Sequence, residues 1–214
     1  YTEAAPDSDW GWVDWSFPMG NGYMGVNLFG GVGKERIQLT ENSTQDSNNK
    51  IGGLNSFAEV FIDFAHGDVS GDYARELLLD EGLAHVRYSN GGVTYRRDYF
   101  TSYPDAVMVV RLTASKSGMI HFTLRLTIPY LCEYRDSVGD NRGKSGTVTV
   151  SGDIITLSGV MEYYNVQFEG QFKVIPTGGK LVANSDGTIT VTGADEAVIL
   201  IAVGTNYVIG DSKG

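Results

Sequence analysis

Met-Ile-His-Phe-Thr-Leu-Arg-Leu-Thr-Ile, residues 119–128, sets Ile120, Phe122, Leu124, Leu126 and Ile128 at every second position, with His121, Thr123, Arg125 and Thr127 between them. A repeat of two puts the apolar set on one face of an extended chain, whereas a helix needs a spacing near 3.6. Val166, Phe168, Phe172 and Val174 repeat the pattern against Gln167, Glu169, Gln171 and Lys173. Gly170 interrupts it, which marks either a bulge or a close backbone approach. With the apolar run 197–203, these segments nominate Phe122, Leu124, Leu126, Val166, Phe168, Phe172, Leu200 and Ile201 for the buried layer.

Outward from these runs, further strands are expected at 23–32, 36–39, 57–64, 86–88, 93–100, 106–113, 147–151, 154–157 and 188–192. Gly152-Asp153 reads as a two-residue hairpin turn, and Gly33-Lys34-Glu35 joins the first two of these strands. Twenty-eight glycines against five prolines in 214 residues supply the punctuation for many turns. Residues 73–81, with Leu77, Leu78 and Leu79 in a row, form the one stretch of helical propensity, stopped by Gly82. The expectation is an all-β chain: one domain over 1–214, a large antiparallel two-sheet supersandwich with very little helix. Residues 136–146, with three glycines and five charges, read as its best exposed loop.

Sixteen Lys and Arg against 26 Asp and Glu leave a formal net charge of −10. That balance repels phosphate backbones and anionic headgroups, so nucleic acid and membrane are not expected partners. No apolar run approaches the ~18 residues of a bilayer span. Cys132 is the lone cysteine, which excludes an internal disulfide and a multi-cysteine metal site. The Tyr1-Thr2-Glu3 start lacks the basic and apolar segments of a signal peptide and reads as a trimmed product.

Chemical motifs are sparse. Gly143-Lys144-Ser145 resembles the end of a phosphate loop, but Gly139 is one residue short of the required spacing, so it reads as a turn. His66, His85 and His121 have no partner at ligand spacing, and Asp68 with Asp72 reads as a solvated turn before a calcium site. Metal and cofactor are therefore not expected. Glycoside hydrolysis needs only two carboxylates about 5 to 9.5 Å apart, and 26 acidic residues make such pairs by chance, so no catalytic residue is nominated. Trp10, Trp12 and Trp15, beside Asp9 and Asp14, offer flat faces for sugar stacking, but read first as a cap for the sandwich edge or as side chains buried against a neighbour.

One segment carries more: Trp15-Ser-Phe-Pro-Met-Gly-Asn-Gly-Tyr-Met-Gly-Val-Asn-Leu-Phe-Gly-Gly-Val, then Glu35-Arg-Ile-Gln-Leu-Thr-Glu41-Asn. It resembles the opening of the N-terminal β-domain of the α-L-fucosidase-like enzymes of glycoside hydrolase family 95, related to the family 65 N-terminal domain. The matching positions are Pro18, Gly20, Asn21, Gly22, Gly25, Gly30, Gly31, Ile37, Gln38, Leu39 and Glu41. The likeness continues through Tyr73-Ala-Arg75-Glu-Leu77, the run from Val93 to Asp105, Gly178-Gly179 and Gly204-Thr205-Asn206-Tyr207. Thr40 and Gln45 stand where the family pattern has Asn and Trp.

The resemblance implies a supersandwich ahead of a helical toroid that holds the catalytic acid and base. That toroid is absent from residues 1–214, so the chain is expected to be the inactive N-terminal domain of a hydrolase cleaving fucosyl or related α-linked sugars from glycans. Its implied partners are the glycan substrate and the helical catalytic domain, and its implied location is extracellular or periplasmic. Asn21, Glu41, Asn42 and Gln45 are the candidate cleft or interdomain residues, because the polar stretch after Glu41 is one that no core requires. Two alternatives stay open: a carbohydrate-binding module using the tryptophans and the Glu41 loop as a platform, and a purely structural domain.

Overall fold

The computed structural model describes residues 1–46, 53–68, 71–129, 144–161 and 165–208. A five-residue π-helical turn, Gly11–Trp15, precedes fifteen strands. In chain order these are β1 (Phe17–Gly20), β2 (Met24–Leu28), β3 (Lys34–Asp46), β4 (Gly53–Phe64), β5 (Gly71–Leu78), β6 (Leu83–Asn90), β7 (Val93–Ser102), β8 (Val107–Ala114), β9 (Ile120–Thr127), β10 (Lys144–Ser151), β11 (Ile154–Met161), β12 (Val166–Thr177), β13 (Lys180–Ala183), β14 (Ile189–Ala194) and β15 (Glu196–Thr205). They pair into a seven-stranded sheet, ordered β1-β2-β3-β4-β9-β14-β13, and an eight-stranded sheet, ordered β10-β11-β12-β15-β8-β7-β6-β5. Every pairing is antiparallel, as the all-β reading expects.

The core is the space between the inner faces, and the period of two fills it. Ile37, Leu39, Val60, Ile62, Phe122 and Leu124 enter from the first sheet, and Tyr88, Tyr99, Val110, Leu157, Phe172 and Ile201 from the second. Leu126 and Leu200 do not join them fully. In β15 the inward positions are Ala197, Ile199 and Ile201, so Leu200 points to the outer face and is half-buried; Leu126 lies at the margin of the core. At Gly170 the ladder runs on unbroken between Leu157 and Val203. A Cβ there would lie 2.9 Å from Phe57 Cε1, so the glycine marks a close approach between sheets and not a bulge.

Residues 73–81 are not helical. Residues 71–78 form β5 at the sheet edge, with Arg75 fully buried and Leu77 packed on the core. The alternation Tyr73, Arg75, Leu77 serves a strand, and tertiary pairing with β6 overrides the local propensity of the leucines. Of the loop expected at 136–146, residues to 143 lie outside the described residues, while 144–146 open β10. Gly152-Asp153 is the expected tight hairpin, with Ser151 opposite Ile154 and Gly152 at φ 59°.

Candidate functional site

The β2–β3 hairpin returns the chain beside the Asn21 turn, because its register sets Met24 opposite Glu41. Asn21 folds over its own turn: Oδ1 accepts from the backbone N–H of Tyr23 at 3.1 Å and of Met24 at 2.9 Å. Its Nδ2 donates to the carbonyl of Ser102, at the end of β7, at 2.8 Å. Asn21 is thus a buried clip between the two sheets, its Oδ1 and Nδ2 both engaged. Gly22, at φ 89°, completes the turn in a backbone region that L side chains avoid.

Glu41 is a second clip. The register of β3 on β4 slips between Thr40 and Gln45, so residues 41–44 bulge out of the ladder. In the bulge the buried Glu41 carboxylate accepts from Ser43 N at 2.8 Å and Ser43 Oγ at 2.6 Å, and Ser43 Oγ lies 2.5 Å from Thr205 Oγ1 of β15. Thr44 Oγ1 donates back to the Glu41 carbonyl at 2.8 Å. Asn42 is different: exposed, with Nδ2 donating to the Gly22 carbonyl at 3.0 Å. Gln45 pairs through its backbone with Leu54, and its side chain lies outside the described residues, as do residues 47–52.

Beside these clips stand two residues that the sequence reading did not nominate. Tyr23 and Tyr103 stack at 5.7 Å between ring centroids and 14° between planes, and are 50% and 65% exposed. Tyr103 holds the Tyr23 phenol above its ordinary range. Their only sequence signal is place: each follows closely on a matched motif residue, Gly22 or Ser102. With Asn42 beside them they place two exposed aromatic rings next to an amide, groups that pack on sugar C–H faces and hydrogen-bond hydroxyls.

The tryptophans lie elsewhere. Trp12 and Trp15 belong to the π-helical turn that precedes β1, Trp10 caps it, and β1 then runs about 10 Å from Phe17 to Gly20. Trp10 is 74% exposed and Trp12 43%, while Trp15 packs on Tyr1 and gives its carbonyl to Arg75 Nη1 at 2.6 Å. The turn therefore sits at the far end of β1 from Asn21, and the two groups do not form one platform.

The Gly30-Gly31 and Arg97 motif residues serve the interior. Glu35, fully buried, accepts from Arg97 Nη1 at 2.7 Å, from Tyr99 Oη at 2.6 Å, and from the Gly30 and Arg36 backbone N–H groups at 2.7 and 3.1 Å. Arg97 Nη2 donates to the Gly31 carbonyl at 2.6 Å, and its guanidinium lies over the rings of Phe64 and Tyr88. Lys144 is also buried, donating to the carbonyls of Ser56 and Phe57. Burial pushes its amine down to about 7. Asp68 accepts from Gly33 N at 2.9 Å, and His66, His85 and His121 each hydrogen-bond within the protein. Among the described residues no three His, Cys, Asp or Glu side chains converge as a metal site would require.

The family model described as glycosyl hydrolase family 65, N-terminal domain, matches residues 41–209. Alpha-L-fucosidase 2 of Arabidopsis thaliana is 25% identical over 246 aligned positions, which cover 92% of this chain and 29% of that protein. A solved structure described as a kojibiose phosphorylase from the human microbiome superposes with a TM-score of 0.56 at 12% identity, over 88% of this chain and 30% of that one. The latter likeness is one of fold. The chain spans less than a third of the length of either relative.

Proposed function

The chain belongs to the glycosyl hydrolase family 65 N-terminal domains, and on that premise we propose that it serves an α-L-fucosidase-like enzyme as the non-catalytic domain that walls one side of the substrate cleft. The observation that carries this reading is the convergence, at one end of the sandwich, of the Asn21 turn, the Glu41 bulge and the stacked Tyr23–Tyr103 face. That end is rigid, aromatic and hydroxyl-bonding, and its two carboxamide and carboxylate clips are satisfied internally. That makes it suited to contact a sugar, and the carboxylate of Glu41 that it contains is turned inward. Acid–base chemistry on a fucosyl bond then belongs to a helical catalytic domain, the partner of this one.

The fucosidase likeness, at 25% identity, supports the choice of fucosyl substrates. In the longer parent enzyme, Tyr103→Ala and Asn42→Ala are expected to raise KM for an aryl α-L-fucoside about two- to tenfold each, the value of one hydrogen bond or stacking contact, with kcat and melting temperature held. Unchanged KM in both variants would sink the reading. A second reading, a free-standing sugar-binding module, is favoured by the exposed Trp10 and Trp12. It requires the tryptophan fluorescence of the 214-residue chain to respond to neutral oligosaccharides and Trp12→Ala to abolish that response.

A further inference from the structure

The eight-stranded sheet presents two kinds of outer surface. Across β6–β8 and the start of β15 the outward polar groups satisfy one another: His85 Nδ1 and Arg96 Nε each lie 2.6 Å from Asp98 Oδ1, and Arg111 lies 2.7 Å from Glu196. Across β11, β12 and the end of β15 most of them are left free. There a trough of about 670 Å³ opens, walled by the outward side chains of β12, Gln167, Glu169 and Gln171. Register sets small residues beside them: Gly204 stands opposite Glu169 and Ala202 opposite Gln171 on β15, and Ser158 stands opposite Glu169 on β11. The floor is lowest at Gly204, where an added Cβ would meet nothing within 4 Å.

The strand beneath the trough is fixed. Thr205 Oγ1, on the inner side of β15, lies 2.5 Å from Ser43 Oγ of the Glu41 bulge. Past Thr205 the ladder continues through a side chain: Gln167 N donates to Asn206 Oδ1 at 2.8 Å, and Asn206 N donates to the Gln167 carbonyl at 3.0 Å. The groups above that strand stay available. Gln171 Nε2 donates to Glu169 Oε1 at 2.9 Å, while among the described residues Ser158 Oγ, the Gln167 side-chain amide and Asn206 Nδ2 have no bond. Free donors and acceptors side by side suit a ligand whose own groups do both, as hydroxyls do, and a floor of small residues accepts the C–H face of a ring. Charge narrows the class further. No cation pairs with Glu169 among the described residues, since Lys173 on the same strand is taken by Asp153 at 3.4 Å. An anionic ligand would therefore meet an uncompensated carboxylate.

The trough lies close to the tyrosine pair. Ser102, next to Tyr103, stands opposite Val107 of β8, and Val107 stands opposite Ala202 in the trough floor. Two strand spacings, about 10 Å, separate them, a span that a short oligosaccharide covers. We propose that this trough is a binding subsite for a neutral, hydroxyl-rich oligosaccharide chain, continuing the path that starts at the Tyr23–Tyr103 face. This rests on the reading that this end of the sandwich meets glycan, and it adds that the glycan is an oligomer running onto the outer face of the eight-stranded sheet.

Titration calorimetry of the 214-residue chain tests the subsite with neutral gluco-, manno- and galacto-hexasaccharides, and with hexagalacturonate and hexalysine as anionic and cationic counterparts. At least one neutral hexasaccharide is expected to bind with a Kd below about 1 mM, and at least tenfold more tightly than either charged probe. Gly204→Leu, which fills the floor, should weaken that binding at least tenfold, and Gln167→Ala about two- to tenfold, while Trp12→Ala leaves it within twofold. No neutral hexasaccharide bound, a charged probe preferred, or binding untouched by Gly204→Leu each overturns the proposal. If Gly204→Leu fails to fold, Gln167→Ala combined with Gln171→Ala, both at exposed positions, decides the same point. Binding lost in Tyr103→Ala but kept in Gly204→Leu removes the trough and retains the tyrosine face. The reverse outcome retains the trough and removes the tyrosine face, so the two readings fail separately.

Discussion

Replacing Arg97 by methionine tests the account of the interior. The substitution keeps an unbranched apolar stem over Phe64 and Tyr88 and removes the two donors that reach Glu35 and the Gly31 carbonyl. Breaking a buried ion pair from one side typically costs about 3–5 kcal/mol, because the other charge stays behind without its counterion. Glu35 would retain three donors, Tyr99 Oη and the N–H groups of Gly30 and Arg36, so the low end applies, about 3 kcal/mol. For a domain of this size that corresponds to a fall of roughly 6–12 °C in melting temperature. Urea unfolding should be followed by far-ultraviolet circular dichroism and by tryptophan fluorescence together, since all three tryptophans sit in the N-terminal turn and report it alone. Glu35→Gln in the Arg97→Met background removes the stranded charge and should recover at least ~1.5 kcal/mol relative to additivity. A loss below ~1 kcal/mol for Arg97→Met, or strict additivity of the pair, would refute the argument that these two groups hold the sheets together as a unit.

Lys144 gives a pH signature. With its amine near 7 in the folded protein and about 10.4 in the unfolded chain, both states hold the proton below pH 7 and the unfolded state holds more above it. Stability then climbs from pH 7 toward 10 by up to ~1.4 kcal/mol per unit, and Lys144→Met should flatten the climb in urea midpoints; an unaltered slope contradicts the assignment. Gly170→Ala should cost about 1–3 kcal/mol through its clash with Phe57, while Gly204→Ala, with open space at its Cβ, should be neutral; equal effects in chemical denaturation would disprove the close approach. Trp10→Ala, at a 74% exposed position, should shift stability by no more than about 0.5 kcal/mol, and a larger loss in calorimetry means that the turn is packed. Purified 214-residue chain should not hydrolyse aryl α-L-fucosides, and turnover abolished by changing one of its own carboxylates would relocate the catalytic site to this domain.

Twelve strands were legible from alternation or from β-branched and apolar runs between turn signals, and the three that were not, β1, β5 and β13, are all sheet edges. An edge strand buries one face weakly, so its side chains need not alternate: β13 reads Lys-Leu-Val-Ala with no fully buried residue, and β5 carries a leucine run that resembles helix. Pairing across the chain decides such segments, and pairing is not local. At the site, the convergence of Asn21, Glu41 and Asn42 follows from the hairpin between β2 and β3, which the glycine turn at residue 33 announces. What alternation cannot show is which polar groups turn inward. Asn21 and Glu41 are spent on holding the two sheets, and the exposed tyrosines beside them come from β-turn positions distant in sequence. The Glu35–Arg97 pair sits 62 residues apart in a regular alternating pattern, where a charged residue at an inward position looks like noise until its partner is known.

In the eight-stranded sheet β15 lies between β12 and β8, although it is the last strand in the chain. During synthesis the block β5–β8 and the block β10–β12 emerge as separate meanders, each with an open edge, and nothing joins them until residues 196–205 leave the ribosome. From the end of β12 at Thr177 to the end of β15 at Thr205, ordinary translation takes roughly one to six seconds. Over that interval β8 and β12 offer unpaired backbone with Val110, Leu112, Phe172 and Val174 beside it, the kind of template that recruits a neighbouring nascent chain. A truncation that reaches into β15, ending the chain before Thr205, would therefore act like withdrawing a keystone, and nascent-chain aggregation, before any change in the finished fold, is where it would be felt.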